Sequence, residues 1–319
     1  MILFTADWHI KLGQKNVPVS WALNRYNLFF EQVYILEKDC SMHIIGGDLF
    51  DRLPNMEELE LYFKFIRGVT IPTIIYDGNH EATKKNKTFF TQLKQVTRDI
   101  NPLVTIIDVS YVDEDLGYGI LPYADLHRKD SIEQFNTDQP LFTHVRGEIP
   151  PHVKPEVSLE RFKPFPVVFS GDLHSHSNSQ LNIIYPGSPM TTSFHRSEVK
   201  TGYLIIDASD WTWNWEAFNL PQLLRKTVSN QYDMIPTEYH HTIYEVEGDM
   251  QELAGVRNSE LLDKKVVKRK SEASLIIDKD MSVQDELVEY LTYILELPES
   301  TIPDILGTYN DYASKVEMG

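Results

Sequence analysis

His43-Ile44-Ile45-Gly46-Gly47-Asp48-Leu49-Phe50-Asp51 is the stretch on which the reading of this chain turns. His43-Ile44-Ile45 reads as the end of a buried strand, and two glycines let the backbone turn sharply after it. Asp48 then stands at the carboxyl end of that strand, where open α/β sheets place their ligands. A carboxylate there can bridge two cations through its two oxygens. It can equally cap a helix or close a turn. The flanking sequence decides between these.

Working outward, the same arrangement recurs. Met1 to Ala6 is a short apolar strand that runs into Asp7-Trp8-His9. In an extended segment, side chains two apart project to the same side. Asp with His on one side suits a divalent first-row metal. Residues 21–38 and 55–66 have helical apolar spacing, and Pro72 to Tyr76 is a strand ending in Asp77-Gly78-Asn79-His80-Glu81. Asn79 offers a neutral carbonyl oxygen and His80 an imidazole. Two short strands are expected at 103–108 and 119–122, and residues 147–166 are a proline-rich irregular loop. Leu141-Phe142-Thr143 ends in His144, and Val167 to Gly171 runs into Asp172-Leu173-His174-Ser175-His176. Each string has an ordinary explanation as a solvated turn. Five strand ends carrying metal-capable side chains make that explanation harder to hold.

The bulk properties bound the rest. The chain has 319 residues, 42% of them hydrophobic, so one large domain with smaller pieces is expected. Its one cysteine, Cys40, excludes an internal disulfide or a cysteine-based zinc site and fits a reducing cytoplasm. No basic leader or membrane-length apolar run is seen. The formal charge is −17, from 30 basic and 47 acidic residues, whereas a simple nucleic-acid-binding module should be basic.

Asp7-x-His9, Gly47-Asp48-x-x-Asp51, Gly78-Asn79-His80-Glu81, His144 and Gly171-Asp172-x-His174 occur in the order seen in the calcineurin-like metallophosphoesterase superfamily, which this chain resembles over residues 7–176. Tyr185-Pro186-Gly187-Ser188-Pro189 followed by Ser193-Phe194 is similar to the SbcD-type nuclease subunits of double-strand-break repair, and most of all to the phage recombination endonuclease subunits. The resemblance implies an α/β fold: a β-sandwich flanked by helices, with a small accessory capping domain and a helical tail. It implies two Mn²⁺ ions, with Mg²⁺ as a substitute. Asp7, His9, Asp48 and His174 would hold the first, and Asp48, Asn79, His144 and Asp172 the second, Asp48 bridging. Cations roughly 3.5–4 Å apart can clamp the attacking and leaving oxygens of a phosphoryl transfer. His80 would stay outside the metal shell as the general acid. Asp51 departs from the pattern, standing where SbcD-type proteins often carry a further histidine, and reads as a hydrogen-bond acceptor for a ligand imidazole rather than a ligand.

The chain departs from the family pattern at Asp172, where Gly-His-x-His has its first histidine. The alternative register takes His174 and His176 as the pair. The expected domains are 1–222 for the nuclease, 223–281 for the accessory domain and 282–319 for a helical tail. The basic run Lys264 to Lys270 is a candidate phosphate contact. The expected function is a Mn²⁺-dependent DNA exonuclease and endonuclease in recombination, repair and replication. Its partners would be DNA, an SbcC-like coiled-coil ABC ATPase bound through the C-terminal helices, and a second copy of the chain, in the host cytoplasm and off the membrane. The rivals are a stand-alone phosphatase or cyclic-nucleotide phosphodiesterase of the same fold, and a non-enzymatic scaffold.

Overall fold

The computed structural model describes residues 1–84, 87–267, 281–295, 297–298 and 301–316, with no account of the side chains at 84, 293, 294 and 311–316. Chain contacts divide it into two units, Met1–Glu247 with Gly255–Lys265, and Gly248–Ala254 with Val266–Gly319.

The first unit alternates strands and helices: β1 Ile2–Thr5, α1 Val19–Glu37, β2 Met42–Gly46, α2 Met56–Gly68, β3 Thr73–Tyr76, a hairpin of β4 Ala82–Lys84 and β5 Lys87–Thr88, α3 Phe90–Ile100 and β6 Val104–Ile107. Then come β7 Tyr111–Asp113, β8 Tyr118–Leu121, α4 Tyr123–Leu126, β9 Leu141–His144, β10 Val168–Gly171, β11 Ile183–Ile184, β12 Gly202–Ile206 and β13 Trp213–Ala217. β14 Leu223–Val228, β15 His241–Gly248 and β16 Leu262–Val267 form a separate three-stranded sheet, with α5 Met250–Gly255 lying between the last two in sequence.

Two sheets make the sandwich. One has the order β13-β12-β1-β2-β3-β6, the other β11-β10-β9-β8-β7. β1, β2, β3 and β6 are mutually parallel, as are β8 to β11, so their carboxyl ends share a direction within each sheet. Period-two alternation sorts the side chains. Ile2, Phe4, Ile44 and Tyr76 meet Tyr118, Ile120, Phe142 and Phe169 between the sheets. Leu3, Ile45, Ile75 and Ile106 face outward and are covered by α1, α2 and α3 through Phe29, Phe30, Phe65 and Phe90. The second sheet turns Leu121, Leu141 and Val168 outward. They are covered by Leu159, Phe162 and Phe165 of the proline-rich stretch, which therefore buries apolar surface despite having no regular strand. The expected helix-flanked α/β sandwich is the fold observed.

Asn55 caps α2 with a reciprocal box to Glu58, which ends the loop that follows Asp51. α3 adds to the two helices expected in this part of the chain and buries Phe90 and Thr97 fully. Trp213 and Trp215 stand half-buried on β13 against the inter-sheet core. In the second unit, α6 Val283–Glu289 continues through a π-type turn to Ile294, and α7 Ile302–Val316 follows. Lys268, Arg269 and Lys270 of the basic run lie outside the described residues. Of that run, Lys264 pairs with Glu245 at 2.9 Å and Lys265 donates to the Val256 carbonyl at 2.6 Å.

Candidate metal centre

The carboxyl ends of β1, β2 and β3 in one sheet meet those of β9 and β10 in the other. β1 delivers Asp7 and His9, β2 Asp48, β3 Asn79 and His80, β9 His144, and β10 Asp172 and His174. Asp7, Asp48, His144 and Asp172 have almost wholly buried side chains, and His9 is nearly so.

The backbone is bent to bring them in. Asp7, His9, Asp48 and Asp172 adopt φ of 56°, 46°, 50° and 99°, four of the eight positive-φ non-glycine residues described. Such conformations are costly away from glycine and persist where the surroundings impose them. Here the bonds that impose them are on the same loops. Asp7 N–H donates to Gly47 O at 3.0 Å, and His9 N–H to Asp48 O at 3.0 Å. Asp172 N–H donates to Asp7 Oδ1 at 3.0 Å, and Ser188 Oγ to Asp7 O at 2.7 Å. Gly47 has φ 84°, and a Cβ there would lie 2.5 Å from His144 Nδ1. Glycine is required at that turn by both conformation and space.

Asp48 sits in the middle. Its Oδ1 accepts from His80 N–H at 2.9 Å and lies 3.5 Å from His144 Nε2. Its Oδ2 lies 3.7 Å from His9 Nε2 and 3.8 Å from His80 Nε2. On one side, His9 Nε2 and His174 Nε2 are 3.0 Å apart, and the two share a cluster with Asp7. On the other, Asp7, Asp48 and His144 form a second cluster. Asn79 Oδ1 faces only acceptors there: Asp48 Oδ2 at 3.2 Å, Asp172 Oδ1 at 3.2 Å and His144 Nε2 at 3.0 Å. Oxygens and the His144 imidazole converge there, and once Nε2 gives up its proton they make a donor set that a cation satisfies.

The protonation states agree. His144 Nδ1–H donates to Gly46 O at 2.9 Å, which leaves Nε2 to face Asp48, Asn79 and Asp172. That is the orientation second-shell bonds impose on ligand histidines. Burial pushes the His9 imidazole down to about 3, with His174 and His80 adding to the effect against the pull of Asp48, so His9 is neutral and one of its nitrogens is free to ligate. Burial lowers His174 in the same direction. Burial opposes ionisation of Asp48, but His144, His9 and His80 outweigh it and hold its carboxyl below the usual range. Asp7 is held well above that range by burial and by the charges of Asp48 and Asp172. Burial would discharge His144, yet Asp48, Asp7 and Asp172 hold its pKa well above the ordinary value. The metal-free site thus crowds carboxylates around one protonatable imidazole, and a divalent cation would relieve that crowding while displacing the proton.

His80 is more exposed than the rest. Its Nδ1–H donates to the Asp51 carbonyl, so Nε2 is the atom turned toward Asp48. Asp51 itself lies 3.6 Å from His9 Nδ1, beyond hydrogen-bond length, and its other oxygen pairs with Lys11 at 2.7 Å. His176 is not brought in. Its Nδ1 bonds Tyr185 O at 2.7 Å, and its ring lies stacked on Trp215.

Two residues at the centre received no role from sequence reasoning. Glu81 is fully buried. Its Oε2 accepts from Asp48 N–H at 2.9 Å and Gly78 N–H at 2.8 Å, and its Oε1 from Phe50 N–H at 2.9 Å, which pins the β2 loop to the β3 loop. Burial and the charge of Asp48 push its carboxyl up to about 8. Its place in Gly-Asn-His-Glu was the available signal. Arg146 forks onto Asp172, with Nε and a terminal nitrogen each 3.2 Å from a carboxylate oxygen. Nothing in the sequence pairs those two positions.

Residues 1–176 match the model of the calcineurin-like phosphoesterase family. The chain belongs to that family. It is 37% identical over 325 residues to a protein of Escherichia phage T5 named "Probable exonuclease subunit 1", with 98% of each chain covered. It is 27% identical over 231 residues to a protein of Invertebrate iridescent virus 6 named as a phosphoesterase, 244L, covering 66% of this chain and 76% of that one. Among solved structures, an archaeal phosphodiesterase covers 68% of this chain and 99% of its own, at 16% identity and a TM-score of 0.39. The family is one of metal-dependent phosphoesterases, and the clustered donors are of the kind such an enzyme requires. No helix among the described residues is long and apolar enough to cross a membrane.

Proposed function

We propose that this chain is the nuclease subunit of a DNA-processing complex and hydrolyses phosphodiester bonds in DNA with two Mn²⁺ ions, Mg²⁺ serving as a substitute. The observation that carries the reading is the convergence of Asp7, His9, Asp48, Asn79, His144, Asp172 and His174 from five strand ends. It is joined to near-full-length similarity to a phage protein named as an exonuclease subunit. Asp7, His9, Asp48 and His174 would hold one ion, and Asp48, Asn79, His144 and Asp172 the other. When bound, the ions supply Lewis-acid polarisation of the phosphoryl oxygens and a more acidic water.

The chain's own residues do the rest. Asp48 keeps the two halves of the site in register through its two oxygens. His144 is fixed by its bond to Gly46 O, and Asp172 by Arg146. His80 is anchored through Nδ1–H, so the proton it gives is the one on Nε2 of its imidazolium, delivered to the leaving 3′-oxygen. General-acid help of this kind is worth about 10²–10⁴-fold.

Residues 1–222 would form the nuclease domain, 223–281 the accessory domain and 282–319 the tail that docks on an SbcC-like ATPase. The word subunit in the relative's name supports a partner. So does the charge of −17, which leaves DNA attraction to the cations and the partner. A second copy of the chain and the host cytoplasm complete the reading. The test is release of nucleotides from labelled linear DNA with Mn²⁺, with and without a chelator, for the wild type and Asp48→Asn. Metal-dependent cleavage lost in the variant is expected, with a calorimetric titration showing two ions on the wild type. Turnover of phosphomonoesters or cyclic nucleotides with DNA left intact would overturn the proposal in favour of the phosphatase or cyclic-nucleotide reading.

A further inference from the structure

A cavity of about 720 Å³ opens beside the centre. Asp172 and His174 form one of its walls, while Asp48, Asn79 and His80 take no part in its lining. Its volume is that of a small-molecule site. Met190, Val199 and Trp215 make its surface mostly apolar, Ser193 stands at an exposed edge, and Lys200 is its one lysine. The aromatic wall is fixed before anything enters. Trp215 donates its indole N–H to Pro186 O at 2.9 Å. His176 lies parallel to the indole at 5.4 Å, held by its own bond to Tyr185 O. A wall held this way loses little freedom when a ligand binds. His176, left out of the metal cluster, thus has a place in the wall of the neighbouring cavity.

We infer that this cavity receives the single unpaired nucleoside next to the scissile phosphate, at the edge of the site away from His80. The inference rests on the nuclease reading above. The charge of the lining sets the class of occupant. A lining with one lysine and one carboxylate does not accommodate a run of phosphates, whereas a nucleoside is neutral, with an apolar base face and polar edges. The size sets the strandedness. A duplex does not fit, so a paired terminus must unpair by one step before it is cut, a cost that a frayed or mismatched end avoids.

The test compares the wild type with Ser193→Trp, which adds bulk at an exposed edge, and Val199→Trp, which fills the cavity from another side. With Mn²⁺ present, hydrolysis is measured on the p-nitrophenyl ester of thymidine 5′-monophosphate, on bis(p-nitrophenyl) phosphate and on linear DNA with paired or mismatched ends. The wild type should prefer the nucleoside ester over the simple diester, and mismatched ends over paired ones. Each variant should lose about tenfold or more of the ester preference, the scale on which a blocked pocket discriminates. The loss should appear in KM for the ester. Variants that retain the full preference, or a wild type without one, overturn the pocket. A wild type that hydrolyses the simple diester but leaves every DNA uncut refutes the nuclease reading, and this inference with it.

Discussion

Gly78→Ala adds a single methyl at the point where the β2 and β3 loops cross. A Cβ at Gly78 would contact Asp48 Oδ1, lie 2.5 Å from Asp48 N and 2.8 Å from His144 Cε1. Two of these atoms belong to groups with no free end to swing away: a backbone nitrogen bonded to Glu81 and a ring bonded to Gly46 O. Ordinary contact therefore requires the loops to separate by on the order of 1 Å, and overpacking of this kind costs about 1–3 kcal/mol. For a unit of this size each kcal/mol lowers Tm by about 2–4 °C, so a drop of about 2–12 °C is expected by calorimetry. The larger effect should be on the site, because the displaced groups are Asp48 and His144. Misplacing a reacting arrangement by about 1 Å costs on the order of 10²-fold. Mn²⁺ titration of the variant should show weakened binding, and cleavage should fall by about that factor. Gly13→Ala is the control. A Cβ there meets only Arg52 at 3.9 Å, and its effect should stay within about 0.5 kcal/mol. A Gly78→Ala protein that binds Mn²⁺ and melts like the wild type would refute the steric argument and the placement of Asp48 against His144.

His80→Gln should retain both ions in a calorimetric titration while cleavage falls by about 10²–10⁴-fold; loss of an ion would make His80 a ligand instead. Asp172→Ala should weaken Mn²⁺ binding by about tenfold or more, and His176→Ala should leave it near wild type, the reverse order favouring the other register. Asp77 is buried and accepts from Ala124 N–H at 2.8 Å, and burial pushes its carboxyl up to about 7. Its folded pKa lies above the unfolded one, so its contribution is intact in acid and is lost as pH rises through about 7. In chelator, Asp77→Asn should melt higher than the wild type at about pH 8, by up to a few kcal/mol, with the gap closing near pH 4. On the tail, Leu291 is buried while Tyr290 and Leu295 are exposed, so Tyr290→Glu with Leu295→Glu should leave Mn²⁺ binding intact and abolish co-purification with the ATPase; retained co-purification removes the docking role.

The strand ends were legible because parallel strands must finish on one side and the chain marks each finish with glycine or a polar residue. Ile44-Ile45-Gly46-Gly47-Asp48 and Phe169-Ser170-Gly171-Asp172 carry that information locally. The convergence of two sheets was not local. It depends on Phe4 of one sheet packing edge-on and tilted against Phe142 and Phe169 of the other, and alternation shows which side is apolar without saying what lies against it. The loop around Phe162 escaped because its burial follows no period. Glu81 and Arg146 escaped for a different reason. A carboxylate that accepts three backbone N–H bonds, and a guanidinium paired across 26 residues, are recognised only once the loops are in place.

Arg146 also bears on Asp172, one of the positions where the chain leaves the family pattern. Under the proposed assignment the ligands carry three carboxylates, Asp7, Asp48 and Asp172, where the pattern would carry two and a further neutral imidazole. The extra negative charge would lower the positive charge of the loaded centre by one and weaken its hold on a phosphodiester. Arg146 offsets part of that charge through a two-point contact with the substituted residue, 3.2 Å to each oxygen, while its other terminal nitrogen pairs with Glu156 at 3.2 Å. A guanidinium keeps its charge at any working pH and holds a carboxylate in a fixed plane, which a lysine would not do. Asp172 with Arg146 is therefore a partial electrostatic equivalent of the histidine it replaces. It follows that Asp172 and Arg146 should be energetically coupled: Arg146→Ala should perturb Mn²⁺ binding when Asp172 is present and much less in an Asp172→His background. Additive effects of the two changes would mean that the contact between them does not tune the centre.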